Sequence, residues 1–171
     1  MKVVLVGYMA SGKSSVGQAL ANNLGIDFVD LDHRIEDEVG MPIEQIFSGK
    51  GEIYFRKKEY EVLQNVVKQE KGVVISTGGG TPCYGNNMQT ILDSSDLCVY
   101  LQLSIPSLVE RIRKEKEARP LVKNISDEDL PEFIGKHLFE RRNFYMNADE
   151  IIASDNKNIS EIVDEIKSKL F

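Results

Sequence analysis

The segment Gly7–Ser14, which reads GYMASGKS, constrains the fold more than any other part of the sequence because it fits the pattern G-x-x-x-x-G-K-[ST]. It directly follows the aliphatic run KVVLV and leads into the helical pattern SSVGQAL. Glycines at both ends of the segment let the backbone turn, so that successive N–H groups converge on phosphate oxygens at a helix N-terminus. The sequence therefore predicts a nucleotide phosphate site in which Lys13 bridges the β and γ phosphates and Ser14 offers its hydroxyl to Mg²⁺.

The rest of the chain alternates short apolar runs with amphipathic helical patterns. KVVLV, GVVIS and LCVYLQL show no alternation of apolar with polar residues and are predicted to be strands buried on both faces, with IDFVDLD and DEIIAS as shorter candidates. Strands separated by helices are joined by crossovers, which predicts a parallel sheet covered by helices on both faces, a three-layer α/β/α sandwich. With 171 residues and 42% hydrophobic content, residues 1–171 are expected to form one domain.

The formal net charge of −6 argues against a broad electropositive surface, so neither nucleic acid nor an anionic membrane is an expected partner. Two cysteines, Cys83 and Cys98, are too few for a disulfide framework and are expected to be reduced. The first residues lack the long apolar stretch of a signal peptide, and no stretch approaches the length of a membrane span. These observations predict a cytoplasmic protein.

Asp30 and Asp32 stand at the end of the strand candidate FVDLD. On extended backbone their spacing would point both carboxylates to one side, toward the cleft at the carboxyl edge of a parallel sheet. We expect Asp30 to join the magnesium shell through water and Asp32 to hydrogen-bond the acceptor hydroxyl, either as its base or chiefly to orient it. The alternative is that these aspartates cap the helix HRIEDEV.

Arginines are scarce in the chain, so Arg56 and one of the pair Arg141–Arg142 are candidates to bind a substrate carboxylate with their forked guanidinium groups. The alternative for each arginine taken alone is a solvated surface charge. Gly78–Gly80 follow the strand GVVIS and would expose backbone N–H groups to a ligand. Arg119 lies in a densely charged segment that is expected to be a mobile lid over about 112–124, where it could swing over the phosphates and neutralise developing charge. A solvated surface helix is the alternative interpretation of that segment.

Taken together, these motifs resemble the shikimate kinases, members of the nucleoside monophosphate kinase superfamily. The matching motifs, in order, are GYMASGKSSVG, FVDLD, the IF…GE…FR segment ending at Arg56, STGGG, ARPL and ERRNFY, and they cover nearly the whole chain. The resemblance implies a P-loop fold with a five-stranded parallel sheet of order 2-3-1-4-5. It also implies Mg²⁺-dependent transfer of phosphate from ATP to the 3-hydroxyl of shikimate, a step of aromatic amino acid biosynthesis.

Carried over by position, the resemblance assigns roles to individual residues. Shikimate binding falls to Asp32, Arg56, Gly78, Gly79, Gly80 and Arg141, within and beyond a substrate-binding region of about 32–60. ATP binding falls to Ala10, Ser11, Gly12, Lys13, Ser14, Ser15, Arg111, Arg119 and Lys157, and Mg²⁺ to Ser14 and Asp30. Lys13, Asp32 and Arg119 are the expected catalytic residues, and a monomer is expected.

The late arginine motif departs from the family pattern. The family commonly reads R-x-P-x-Y, whereas this chain has Arg141-Arg142-Asn143-Phe144-Tyr145. Spacing to the tyrosine favours Arg141, but without the proline both arginines stay candidates. His33 and His137 have no cysteine or second histidine at metal-ligand spacing, and no chemistry is assigned to them.

Three other functions compete with this interpretation. A kinase for another small hydroxy acid, such as gluconate, would share the phosphate loop and the lid. A GTP-binding switch is disfavoured because the D-x-x-G match at 37–40 falls in a predicted helix and the guanine-reading N-K-x-D motif is absent. An inactive nucleotide-binding scaffold would be expected to lose Lys13, Asp32 or Arg119, and all three are present.

Overall fold

The structure, a computed structural model, describes residues 1–69 and 71–171. Its five strands form one parallel sheet in the order β2-β3-β1-β4-β5. They are β1 (Lys2–Val6), β2 (Asp27–Asp30), β3 (Val73–Ser76), β4 (Leu97–Gln102) and β5 (Glu150–Ala153). The predicted parallel sheet and its strand order are confirmed.

The helices alternate with these strands, as the periodicity of the sequence predicts. In the described part of the chain they are α1 (Lys13–Leu24), α2 (Leu31–Val39), α3 (Ile43–Lys50), α4 (Glu52–Gln69), α5 (Asn87–Ser94), α6 (Ile105–Glu115), α7 (Leu130–Tyr145) and α8 (Ile159–Leu170). Two short 3₁₀ turns cover Thr81–Cys83 and Lys116–Ala118. No helix within 1–69 or 71–171 has the length and apolar character needed to cross a membrane.

The core has one layer on each face of the sheet, which explains why the strand sequences are apolar at successive positions. Val3 and Leu5 of β1 pack with residues of α1 and α8, whereas Val4 and Val6 face a larger cluster that includes side chains of α4, α6 and α7. All four side chains are fully buried. The predicted three-layer sandwich is therefore confirmed.

The carboxyl ends of β1, β2 and β3 lie side by side and position the candidate site. In the sheet register, Ser76 pairs with Leu5 on one side and with Asp30 on the other. The chain leaves β1 through Gly7 into the loop that precedes α1, and it leaves β3 through Gly78–Gly80. The phosphate loop, the acidic pair and the triple glycine therefore meet at one edge of the sheet.

The prediction that Asp30 and Asp32 both lie on extended backbone is wrong. β2 ends at Asp30, and α2 already begins at Leu31, so Asp32 lies in the first helical turn. Asp30 is the N-cap residue of α2 and accepts a hydrogen bond from the backbone N–H of His33 at 3.2 Å. A capping carboxylate satisfies an N–H group that has no partner within the helix, and this favours ending the strand at Asp30.

The charged segment after α6 is anchored more firmly than its composition predicts. Val122 is completely buried and belongs to the larger core cluster. Lys116 donates to Asp127 at 3.0 Å, which ties the 3₁₀ turn to the residues that precede α7. A buried apolar residue therefore anchors a segment that its dense charge predicts to be mobile, and the mobility stays a prediction.

Candidate active site

A cleft of about 490 Å³ opens at the carboxyl edge of the sheet. It is lined by residues of the phosphate loop and α1, of the acidic pair, of the β3 exit and of α6 with the segment that follows it. These are Met9, Ala10, Gly12, Lys13, Ser14, Ser15, Asp30, Asp32, Thr77, Gly78, Gly79, Arg111, Glu115 and Arg119. Most of the residues predicted for nucleotide and metal binding are thus brought together.

The phosphate loop has the backbone that its glycines permit. Gly12 lies in the left-handed region with φ of 93°, and a Cβ on Gly7 would approach the Leu101 carbonyl oxygen to 2.9 Å. The buried ammonium of Lys13 donates to the carbonyl oxygens of Gly7 at 2.8 Å and Tyr8 at 3.0 Å. Burial lowers the pKa of Lys13 to about 8, against the opposing effect of the nearby carboxylate of Asp32.

Ser14 and Asp30 form the part of the cleft that fits a magnesium ion. The Ser14 hydroxyl donates to the Asp30 carboxylate at 2.6 Å, and the Ser76 hydroxyl oxygen lies 3.5 Å from that of Ser14. Within 1–69 and 71–171, no three His, Cys, Asp or Glu side chains are grouped so as to hold a metal by themselves. Mg²⁺ needs few protein oxygens when phosphates and waters complete its coordination. The Ser14 hydroxyl and the Asp30 carboxylate therefore fit the ion.

Asp32 is held in an environment that resists ionisation. Its pKa is raised to about 6, mainly by burial and further by the negative charges of Asp30 and Glu59. A carboxyl with a pKa near the working pH can exchange a proton with a substrate hydroxyl more readily than an ordinary aspartate. The environment of Asp32 therefore suits a general base.

Each glycine of the run Gly78–Gly80 lies against a different candidate substrate-binding side chain. A Cβ on Gly78 would lie 2.7 Å from the Asp32 carboxylate, and one on Gly80 would lie 2.8 Å from both terminal nitrogens of Arg56. A Cβ on Gly79 would lie 3.5 Å from Nη1 of Arg141 and 3.3 Å from the backbone nitrogen of Met9. The run therefore allows three functional groups to approach the backbone, in addition to the predicted exposure of its N–H groups.

Arg56 is fixed by partners that the sequence analysis missed. Its Nη1 donates to the Glu59 carboxylate at 2.8 Å, and Glu59, which is only 1% exposed, also accepts from the Thr81 hydroxyl at 2.8 Å. The ring of Tyr84 stacks on the guanidinium, 3.9 Å from Cζ to the ring centroid. A glutamate three residues after an arginine on a helix was the available signal for Glu59. No sequence signal indicated Tyr84.

The structure distinguishes the two late arginines. Arg141 is half-buried beside Gly79, whereas Arg142 is exposed. α7 remains helical through the motif to Tyr145, whose hydroxyl donates to the Gly79 carbonyl oxygen at 2.5 Å. The placement of Arg141 agrees with the preference drawn from its spacing to Tyr145.

The remaining nucleotide candidates divide into two groups. Arg119 lines the cleft, with Nε 2.9 Å and Nη2 2.5 Å from the Glu115 carboxylate, and Arg111 donates to the Ala10 carbonyl oxygen at 3.3 Å. Ser11 is a buried residue of the phosphate loop, and Lys157 pairs with Glu165 at 2.6 Å. Neither Ser11 nor Lys157 lines the cleft. The ATP-binding roles of these four residues stay predictions.

Comparisons with known proteins identify close relatives over the whole chain. The family model for shikimate kinase matches residues 9–171. A shikimate kinase of Flavobacterium psychrophilum is 41% identical over 170 residues, which cover 99% of each chain.

Two solved structures show the same likeness in three dimensions. That of a shikimate kinase from Bacteroides thetaiotaomicron superposes with a TM-score of 0.91 at 34% identity, covering 99% of this chain and 98% of the other. The shikimate kinase of Acinetobacter baumannii, solved in complex with shikimate, has a TM-score of 0.89 at 29% identity and covers 99% and 92%.

Proposed function

Because the chain belongs to the shikimate kinase family, its reaction is the ATP-dependent phosphorylation of shikimate, and we propose that the cleft described above directs that reaction to the 3-hydroxyl. The observation that supports this site is the triple glycine. Its three glycines lie against the carboxylate of Asp32 and the guanidinium groups of Arg56 and Arg141, beside the phosphate loop. This set matches an acceptor that carries both a hydroxyl and a carboxylate.

The two arginines form the carboxylate end of the proposed substrate site. Arg56 is held in place by Glu59 and Tyr84, so little side-chain entropy is lost when it binds a carboxylate. Arg141 approaches the same glycine run from α7. A substrate carboxylate between them would direct the ring hydroxyls toward Asp32.

Asp32 accepts the proton of the 3-hydroxyl in this proposal. The hydroxyl oxygen then forms a bond to the γ-phosphorus of ATP while the bond to the β,γ-bridging oxygen breaks, and ADP leaves. Because phosphoryl transfer has a loose transition state, the main contribution of Asp32 is to orient the oxygen in line with that bond.

Charge on the transferred group is met by Lys13 and Arg119. Lys13 moves its ammonium from the carbonyl oxygens of Gly7 and Tyr8 to the phosphate oxygens, and Arg119 exchanges Glu115 for the same anion. Ser14 and Asp30 are the proposed magnesium ligands, with Asp30 acting through water. When bound there, the ion neutralises phosphate charge and keeps the chain of phosphates in one orientation.

The remaining assignments are also proposals. Residues 1–171 act as one kinase domain, with the substrate-binding region at about 32–60 and the lid at about 112–124. The negative net charge of −6 supports a small-molecule enzyme without a nucleic-acid or membrane partner. We place it in the cytoplasm as a monomer.

The decisive experiment measures ADP release from Mg-ATP with shikimate, with gluconate and without an acceptor. We expect turnover with shikimate alone, and ³¹P NMR of the product should show a phosphate monoester coupled to the ring proton at carbon 3. Turnover with gluconate alone would show that gluconate, and not shikimate, is the acceptor. No turnover with either acceptor would indicate an inactive nucleotide-binding scaffold. Size-exclusion chromatography with light scattering tests the monomer.

A further inference from the structure

A tyrosine of the phosphate loop is linked to the helix that carries Arg141. The hydroxyl of Tyr8 shares a hydrogen bond of 2.8 Å with Nδ1 of His137 on α7, and the two rings meet edge to face with centroids 5.3 Å apart. Tyr8 is only 1% exposed. Its backbone carbonyl oxygen also accepts from the ammonium of Lys13 at 3.0 Å. One residue therefore contacts both the phosphate-binding lysine and the substrate-binding helix.

The inner face of α7 presents three functional side chains at four-residue intervals. His137, Arg141 and Tyr145 follow one another along this face, because residues four apart lie one above the other on a helix. His137 contacts the phosphate loop, and Tyr145 donates to the carbonyl oxygen of Gly79. The part of α7 that carries Arg141 is therefore flanked on both sides by hydrogen bonds to the two loops that form the cleft.

We propose that Tyr8 and His137 are positioning residues for Arg141, so that a side chain of the phosphate loop sets the affinity for the carboxylate substrate. This inference rests on the proposed function. Neither residue touches shikimate in the proposed site, and both act through the placement of α7. Apolar side chains such as Ile134 and Leu138 would still anchor α7 in the core, but of the two hydrogen bonds to the cleft loops only that of Tyr145 would remain, and the guanidinium would lose its defined position beside Gly79.

The state of the imidazole supports a hydrogen bond that persists under assay conditions. Burial, together with the positive charge of Arg141, lowers the pKa of His137 to about 4. The ring is therefore neutral above about pH 5. Depending on the tautomer, Nδ1 either accepts the hydroxyl proton of Tyr8 or donates its own proton to the Tyr8 oxygen, and neither case places a second positive charge beside Arg141.

Tyr8→Phe is the first test because it removes only the hydroxyl and keeps the ring. By isothermal titration calorimetry we expect the Kd for shikimate to rise about three- to tenfold, the effect of one lost hydrogen bond. The Kd for Mg-ADP should change less than twofold. Tyr60→Phe is the matched control, since it removes the same group from a 43% exposed side chain of α4, and it should change neither constant.

His137→Phe and His137→Asn separate hydrogen bonding from packing. Phenylalanine keeps a ring against Tyr8 but has no polar atom, whereas asparagine loses the ring and places a polar atom near the position of Nδ1. If the hydrogen bond positions Arg141, the phenylalanine variant should weaken shikimate binding about as much as Tyr8→Phe, and the asparagine variant should bind within about twofold of the wild type. The double variant Tyr8→Phe/His137→Phe should be no weaker than either single variant.

Four results would overturn the proposal. Three are an unchanged shikimate Kd in Tyr8→Phe, an equal loss of Mg-ADP and shikimate binding, and additive losses in the double variant. The fourth is a His137→Asn protein that binds shikimate worse than His137→Phe, since the ring, and not its nitrogen, would then position Arg141. If Tyr8→Phe does not fold, the contrast between the two His137 variants decides alone. Failure of the proposed function would be distinct, because the wild-type protein would then not phosphorylate shikimate.

Discussion

Replacing Gly80 with alanine should weaken shikimate binding without unfolding the protein. Gly80 has φ of −89° and ψ of −13°, a conformation that alanine adopts without strain. Its added Cβ would lie 2.8 Å from both Nη atoms of Arg56, whereas ordinary contact begins near 3.4 Å. The guanidinium must therefore retreat by about 0.6 Å, the difference between these two distances. Its hydrogen bond to Glu59 limits the directions in which it can move.

The expected effect on binding follows from the contact that this displacement removes. A hydrogen bond between charged groups contributes about 1.5–3 kcal/mol. Losing one arm of the proposed forked contact between Arg56 and the substrate carboxylate should therefore raise the shikimate KM about ten- to a hundredfold. The kcat should fall much less, since the carboxylate lies away from the reacting hydroxyl and binds similarly in the ground and transition states.

The assay is steady-state ADP release at varied shikimate, with thermal unfolding measured on the same samples. Gly49→Ala is the matched control, because a Cβ there meets no atom within 4 Å, and its KM should equal that of the wild type. A folded Gly80→Ala protein with an unchanged shikimate KM would contradict the proposed contact between Arg56 and the substrate carboxylate, since Arg56 would then be displaced without consequence for the substrate.

Three further predictions concern the catalytic groups. Asp32→Asn should abolish most turnover while the Kd for Mg-ADP, measured by calorimetry, stays within about threefold, and a loss of nucleotide binding would contradict the proposed division of roles between Asp30 and Asp32. Asp32 must be unprotonated to accept the hydroxyl proton, and its pKa is raised to about 6. In a full pH–rate profile, kcat/KM for shikimate should therefore decrease as the pH is lowered through about 6, and Asp30→Asn should shift this decrease to lower pH. Arg119→Met should lower kcat about 10²–10³-fold with little change in shikimate KM, and an unchanged kcat would remove Arg119 from the proposed mechanism.

The sheet and the phosphate loop could be predicted from the sequence because both depend on local signals. Apolar runs such as Val3–Val6 are buried on both faces of the sheet, and the loop pattern requires a strand before it and a helix after it. The boundary at Asp30 could not be predicted in this way, since apolar periodicity does not show where a strand gives way to a helix. There the hydrogen bond from the backbone N–H of His33 to Asp30 favours the helix.

Contacts between segments that are far apart in the sequence could not be predicted from sequence patterns. Val122 is anchored by the core of the fold, although residues 113–119, shortly before it in the sequence, are mostly charged. His137 had no metal-ligand spacing, and its partner Tyr8 lies 129 residues away in the sequence. The contact of His137 with Tyr8 depends on how α7 packs in the fold, which the spacing of residues along one helix cannot indicate.

The three consecutive glycines Gly78–Gly80 lie against side chains that come from distant parts of the sequence. Asp32 comes from α2, Arg56 from α4 and Arg141 from α7, and each lies against a different one of three consecutive glycines. A Cβ on Gly78 or Gly80 would lie closer than 3.0 Å to Asp32 or Arg56 and would displace that group, whereas one on Gly79 would be in ordinary contact with Arg141 at 3.5 Å. In the proposed site, acceptor specificity therefore depends on the absence of side chains at Gly78 and Gly80 as much as on the charged residues themselves. A chain with the same arginines but with side chains at these two positions would lose the geometry of its acceptor site.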